Sequence, residues 1–157
     1  MKRPFPGDLP FGAIISITGR CRFIFFNDRL RPLGLSAGQV PVLMLLYEEQ
    51  NIMQETLVRH YQIDKGAIAR AVKKLEEAGF IRRITDPDNR RAVRLFLTEK
   101  GEQVAPVIRA INREWEEQVC TGLSPAERES LTTFMRTVAE NSHRSIQNTG
   151  EHPDAGN

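Results

Sequence analysis

Between Asp64 and Arg94 the chain carries nine lysines and arginines against five acids. Lys65, Arg70 and Lys73 recur at near-helical spacing, and Arg82, Arg83, Arg90 and Arg91 follow on two short alternating segments and the turn between them. Cationic groups so concentrated suit pairing with the phosphates and base edges of nucleic acid. The planar fork of an arginine matches O6 and N7 of a guanine together, which makes Arg70 the candidate base reader. Lys65, Lys73, Arg82, Arg83 and Arg91 are candidate phosphate contacts. Gly66, Ala67 and Ala69 share the outward face with Arg70, and small side chains there allow close approach to a groove. Arg90 is the candidate for the minor groove, with Asp88 expected to hold its side chain through a charge-assisted bond. The plainer alternative is a solvated helix face and a surface turn whose ion pair contributes little. The two basic features standing next to each other favour DNA.

These residues need elements to position them. Ile68, Ala71, Val72 and Leu75 stand at i, i+3, i+4 and i+7, which predicts a helix with that stripe inward, capped by Asp64 and ended by Gly79. Gln54–Tyr61 reads as a shorter helix before it, with Gln62 and Ile63 making the turn. Phe80–Thr85 and Ala92–Leu97 alternate as strands around a turn at Asp86–Arg91, where Pro87 and Asn89 supply turn chemistry. Upstream, Ile14, Ile15, Ile17, Cys21, Ile24, Phe25 and Leu30 predict a long amphipathic helix from about Leu9 to Leu30. Ser36 opens another with Gln39 in capping-box position, its apolar face Val40, Leu43, Leu46 and Tyr47, and Pro41 expected to cost some helical bonding. Downstream, Thr98 caps a helix with Val104, Val107, Ile108, Ile111, Trp115 and Val119 expected inward. Ser124–Pro125–Ala126–Glu127 starts the last helix, whose apolar side is Leu131, Phe134, Met135 and Val138. Long end helices with wide apolar stripes need a partner, most commonly a second copy of the chain.

The 157 residues are about one domain's length, with ordinary hydrophobic (40%) and charged (27%) content. No apolar run approaches the roughly 18 residues that span a bilayer, and no secretory signal is expected. The net charge of +2 conceals an uneven distribution, since the last third is acidic. Cys21 and Cys120, the two cysteines, make no disulfide framework, so a cytoplasmic location is expected. His60, His143 and His152 show no metal spacing, and neither a phosphate-cradling loop nor a nucleophile motif occurs. The chain reads as a non-enzyme without metal or cofactor.

The stretches LRPLGLSAGQVPVLMLL (30–46), QETLVRHYQIDKGAIARAVKKLEEAGFIRR (54–83) and DPDNRRAVRLFLTEKG (86–101) cover nearly half the chain. In their order and spacing they resemble the multiple-antibiotic-resistance-regulator (MarR) family of winged helix-turn-helix transcription factors. The family's Asp-x-Arg falls on Asp88 and Arg90, followed by Leu97-Thr98-x-x-Gly101. The resemblance implies a mainly α fold with a small β wing (α+β), a winged helix-turn-helix flanked by N- and C-terminal dimerisation helices. It implies a homodimer on a pseudo-palindromic operator of double-stranded DNA. A repressor released by a small-molecule effector, commonly phenolic, is the expected form. Gln62 stands where the family's turn has Gly, which predicts a slightly altered turn.

The expected boundaries are 1–35 for the N-terminal dimerisation helix, 36–99 for the winged helix-turn-helix, 100–142 for the C-terminal dimerisation helices and 143–157 for a disordered tail. An effector pocket would draw on Phe11, Ile15, Phe23, Phe26, Leu43 and Tyr47, although aromatic residues at helical spacing are more often simply core. Some members of the family sense peroxide through a cysteine in the first helix; the plainer expectation for Cys21 is an inert thiol on the apolar face. A sequence-neutral architectural DNA binder and a winged-helix protein-interaction module are the competing readings.

Overall fold

The structure is a computed structural model and describes residues 6–61 and 63–149. Its elements run α1 (Phe11–Leu30), two 3-10 turns (Arg31–Leu33 and Ala37–Gln39), α2 (Val40–Glu48), β1 (Ile52–Met53), α3 (Gln54–Tyr61), α4 (Lys65–Glu77), β2 (Ile81–Thr85), β3 (Val93–Leu97), α5 (Glu99–Val119) and α6 (Pro125–Thr149). The expected class, mainly helical with a small β wing, is the one found. Two compact units meet inside α5, one up to Trp115 and one from Glu116 onward.

The first unit is built on α2. Five of its nine residues, Val40, Val42, Leu43, Leu45 and Leu46, are buried. Around them pack Phe26 and Leu30 of α1, Leu57 of α3, the inner stripe of α4, Leu95 and Leu97 of β3, and Val104 and Ile108 of α5. Its start is well specified: the Ser36 N–H donates to Gln39 Oε1 at 2.8 Å, and the Ala37 N–H donates to Asn27 Oδ1 of α1 at 2.8 Å. The α-helix proper begins at Val40, so Pro41 sits in the first turn, where no backbone donor is needed. The bonding cost expected for Pro41 is therefore absent.

α1 behaves differently. Of the seven residues expected on its inner face only Leu30 is buried; Ile14, Cys21 and Ile24 are exposed, as are Phe11 and Phe23. Cys21 thus lies on the surface of this chain, and burial is not what would keep it inert. The C-terminal half of α1 is seamed to α5 instead: Arg22 donates to Asn112 at 3.1 Å and stacks over Phe26, and Arg29 pairs with Glu114. Arg109 of α5 lies over the Tyr47 ring of α2.

The sheet is antiparallel in the order β1-β3-β2. β1, two residues long and absent from the expected elements, is extended by the Gln50 side chain, whose Oε1 accepts the Leu97 N–H at 3.1 Å. In α5, Val104, Ile108 and Ile111 are inward as expected, whereas Val107 and Val119 are exposed.

In the second unit Gly122 (φ 91°) breaks the chain between helices, and Ser124 donates to Glu127 Oε2 through both its N–H and its hydroxyl at 2.7 Å. α6 runs to Thr149, which corrects the expected disordered tail for residues 143–149; residues 150–157, like the expected turn at Gln62, lie outside the described residues. Phe134 and Ile146 of α6 are exposed by more than half.

Candidate nucleic-acid interface

α4 is held at both ends and along one side. Asp64 Oδ2 accepts the Ala67 N–H at 2.9 Å, capping the first turn. Ile68, Ala71, Val72 and Leu75 are all buried, as their spacing predicts. At the other end Gly79 takes φ 78°, the Phe80 N–H donates to Leu75 O at 2.9 Å and the Gly79 N–H to Glu76 O at 3.0 Å, a closure that only a left-handed residue allows. This stripe turns Lys65, Arg70 and Lys73 into solvent, with Gly66, Ala67 and Ala69 half-buried between them. Lys73 stands 3.9 Å from Glu77, a surface pair of little energy.

The residues after α4 bolt it to the strands and to α5. Thr98 donates its N–H to Phe80 O at 3.0 Å and its hydroxyl to Gly79 O at 2.6 Å, while Lys100 Nζ donates to Ala78 O at 2.7 Å. Gly101 lies so close to this junction that a Cβ there would stand 2.2 Å from Phe80 O. The Leu97-Thr98-x-x-Gly101 sequence therefore has a steric cause.

The hairpin turn runs from Asp86 to Ala92. The Asp86 N–H donates to Ala92 O at 2.9 Å, the Ala92 N–H to Asn89 O at 2.8 Å, and Asn89 Oδ1 accepts the Arg91 N–H at 3.1 Å. Arg90 and Arg91 project into solvent. The expected Asp88–Arg90 pair is not formed: among the described residues the carboxylate holding an arginine in this turn is Asp86, 2.8 Å from Arg94 Nε. Asp86 also accepts the Asp88 N–H at 2.9 Å, and Arg94 reaches on to Asn51 Oδ1 at 3.4 Å, where Asn51 itself takes φ 66°. The Arg94 guanidinium, assisted by the Asp88 N–H, keeps the Asp86 carboxyl below the usual carboxylate range. Asp86, Arg94 and Asn51 thus brace the base of the wing, a role that strand register alone reveals.

Register also separates Arg82 from Arg83. Arg82 pairs across the ladder with Phe96 and stacks over its ring, whereas Arg83, opposite Leu95 on the other face, binds Glu76 of α4 at 2.9 Å. Arg83 already has a partner within the chain, so of the two Arg82 is the freer for an external anion.

Lys65, Arg91, Gln54 and Glu55 meet at one crevice of about 170 Å³, floored by Met53, Val58, Ala92 and Val93. The starts of α3 and α4 and the base of the wing therefore form one continuous face. None of the six residues expected in an effector pocket lines it: Phe26 and Leu43 are fully buried core, and Phe11 and Phe23 are exposed. Ile15 of α1 and Tyr47 of α2 are half-buried.

The architecture has relatives. Residues 35–93 match the MarR family model. YybA, an HTH-type transcriptional regulator of Bacillus subtilis (strain 168), is 35% identical over 118 residues, spanning 75% of this chain and 79% of that protein. The chain belongs to the MarR family. A crystal structure of MarR matches with a TM-score of 0.85 at 33% identity, covering 93% of this chain and 99% of that one. A MarR-family regulator from Listeria monocytogenes, solved in complex with 26mer DNA, matches with a TM-score of 0.83 at 29% identity over 96% of this chain and all of that one. In a MarR-family transcription regulator with this winged helix, α3 and α4 are the helix-turn-helix and the β2–β3 hairpin is the wing.

Proposed function

We propose that the chain is a cytoplasmic, homodimeric, sequence-specific repressor that lays α4 in the major groove of an operator half-site and its wing against the adjacent minor groove. The observation that carries this reading is the shared crevice, where Lys65 of α4 and Arg91 of the wing converge beside the start of α3. Exposed Lys65, Arg70 and Lys73 on a helix whose opposite stripe is fully buried supply the reader. Gly66, Ala67 and Ala69 leave it room, Arg82 and Arg91 supply phosphate contacts, and Arg90 reaches the minor groove. The Listeria relative's complex with 26mer DNA supports the same mode, since that length accommodates two half-sites about one helical turn apart.

Dimerisation is supported by apolar exposure. Phe11 (57%), Phe23 (54%) and Ile24 (61%) on α1 and Phe134 (67%) on α6 are more than an isolated chain commonly leaves in water, and a second copy would cover them. On this reading residues 1–35 and 100–142 assemble the dimer and 36–99 carry the reader. Release by a small, commonly phenolic molecule rests on family membership, and would work by favouring one separation of the two reading heads.

Selection of bound sequences from a random DNA pool tests the reading. A pseudo-palindromic site with half-sites about 10 base pairs apart is expected, together with sedimentation as a dimer. Competition by random DNA as effective as by the selected site, at fixed salt, would establish an architectural binder instead. A stable monomer that selects no DNA would leave a protein-interaction module. Titrating phenols against the preformed complex tests the release.

A further inference from the structure

Arg70 does not stand free of its helix. A Cβ built on Gly66 would lie 3.2 Å from Arg70 Nη1 and 3.0 Å from Asp64 Oδ2. Asp64 and Arg70 make no ion pair with each other, yet both border the space that glycine leaves empty. Side chains on a helix lean toward its N-terminus, so a residue at i+4 is drawn over position i. Here that lean carries the Arg70 guanidinium over the first turn of α4, close to the carboxylate that caps it. The N-terminal residues of a recognition helix are the ones that reach base edges.

We propose that Gly66 is a positioning residue for Arg70. Its missing side chain lets the guanidinium fold over the first turn beside Asp64, placed in advance for the base it reads. The inference rests on the reading of α4 as the groove helix. A methyl at position 66 would sit closer to both groups than ordinary contact allows. Asp64 is the stiffer neighbour because its carboxylate is engaged by the Ala67 N–H. Arg70, attached by a flexible stem, is the one that gives way. The guanidinium must then shift by at least a few tenths of an ångström from its place over the first turn, and recovering the reading geometry costs side-chain ordering that falls on the discriminating contact.

The test measures binding to the selected site and to a variant changed at the base pair that depends on Arg70. Arg70→Ala should reduce discrimination at that pair by roughly tenfold, within the range of a bidentate contact. Gly66→Ala should reduce it by roughly threefold or more, while thermal stability stays near the parent's, the gain of alanine as the better helix former offsetting the strain of a Cβ 3.0 Å from the capping Asp64 Oδ2. In the Arg70→Ala background the same change should have no further effect on discrimination. Asp64→Ser keeps a competent cap and removes the carboxylate. It should raise affinity for all DNA, through lost repulsion of phosphates, and still lower discrimination at the Arg70 pair. Equal losses from Gly66→Ala with and without Arg70 would mean that the methyl simply obstructs DNA, and would overturn the inference. So would unchanged discrimination in Gly66→Ala. If Arg70→Ala itself leaves discrimination intact, the groove assignment of α4 fails first.

Discussion

The two basic regions of the interface are held in unlike ways. α4 is determined along its whole length, by the Asp64 cap, four buried side chains, the Gly79 closure and the junction of Phe80 with Thr98 and Gly101. The wing turn is determined by hydrogen bonds among its own residues and by one bridge, Asp86 to Arg94, while Arg90 and Arg91 stand in solvent. Reading a base edge needs donors placed to within about 0.5 Å, which takes rigid support. Neutralising phosphates needs charge within reach, and a flexible side chain suffices. On the proposed reading, the difference in support gives discrimination to the helix and affinity to the wing.

The support of α4 can be broken at Gly101. A Cβ there would meet Phe80 O at 2.2 Å and Leu97 Cδ2 at 2.9 Å, and the carbonyl cannot retreat without losing the Thr98 N–H. Gly101→Ala should destabilise the chain at or beyond the upper end of the about 1–3 kcal/mol typical of overpacking, read as a lower urea midpoint. Gly38→Ala, where a Cβ meets nothing within 4 Å, should stay within about 0.5 kcal/mol of the parent. Equal midpoints for the two variants would remove the junction as an anchor for α4.

Next in size is the division of labour itself. Arg70→Ala should cost about 1–3 kcal/mol at one base pair and leave other positions alone. Arg90→Ala should weaken binding to every sequence alike and lower the salt slope by about one. Salt titrations of gel shifts against matched and mismatched sites measure both. If Arg90→Ala changes discrimination more than Arg70→Ala does, the roles of helix and wing are reversed.

How legible these regions are in the sequence follows from what positions them. The inner stripe of α4, its Asp64 cap and its Gly79 stop depend on neighbours within a few residues, and periodicity finds them all. The bracing of the wing depends on register. Asp86 and Arg94 meet because Thr85 pairs with Val93, and a single sequence does not specify that pairing, so Asp88 is the nearer guess for an arginine's partner. β1 escapes because two residues show no alternation. α1 misleads for another reason. Its apolar residues are as numerous as a core helix requires, but periodicity does not say which partner covers them, and within one chain only Phe26 and Leu30 are buried. Gly101 is visible as a motif, whereas the carbonyl that excludes a side chain there comes from Phe80, some twenty residues away.

The smallest effect probes the bridge at the base of the wing turn. Asp86 titrates below the usual carboxylate range because the ionised form is held by Arg94 and by the Asp88 N–H. A carboxyl depressed by folding stabilises the fold where it is ionised, so its contribution is complete at neutral pH. That contribution is lost as pH falls through the folded-state value. The Asp88 amide proton, donated to Asp86 Oδ1, should report this protonation in an NMR pH titration, with a midpoint below that of an ordinary aspartate. Arg94→Gln should shift the midpoint upward, since the first cause of the depression is gone. Glu127 is also depressed, but by the Ser124 N–H and hydroxyl, and should not respond to that change. A Glu127 that moved with Asp86 would show that Arg94→Gln disturbs the whole fold. An Asp86 midpoint that stayed in place would mean that the backbone N–H groups hold the Asp86 carboxylate by themselves, leaving the wing turn with no ion pair to set against the anchored helix.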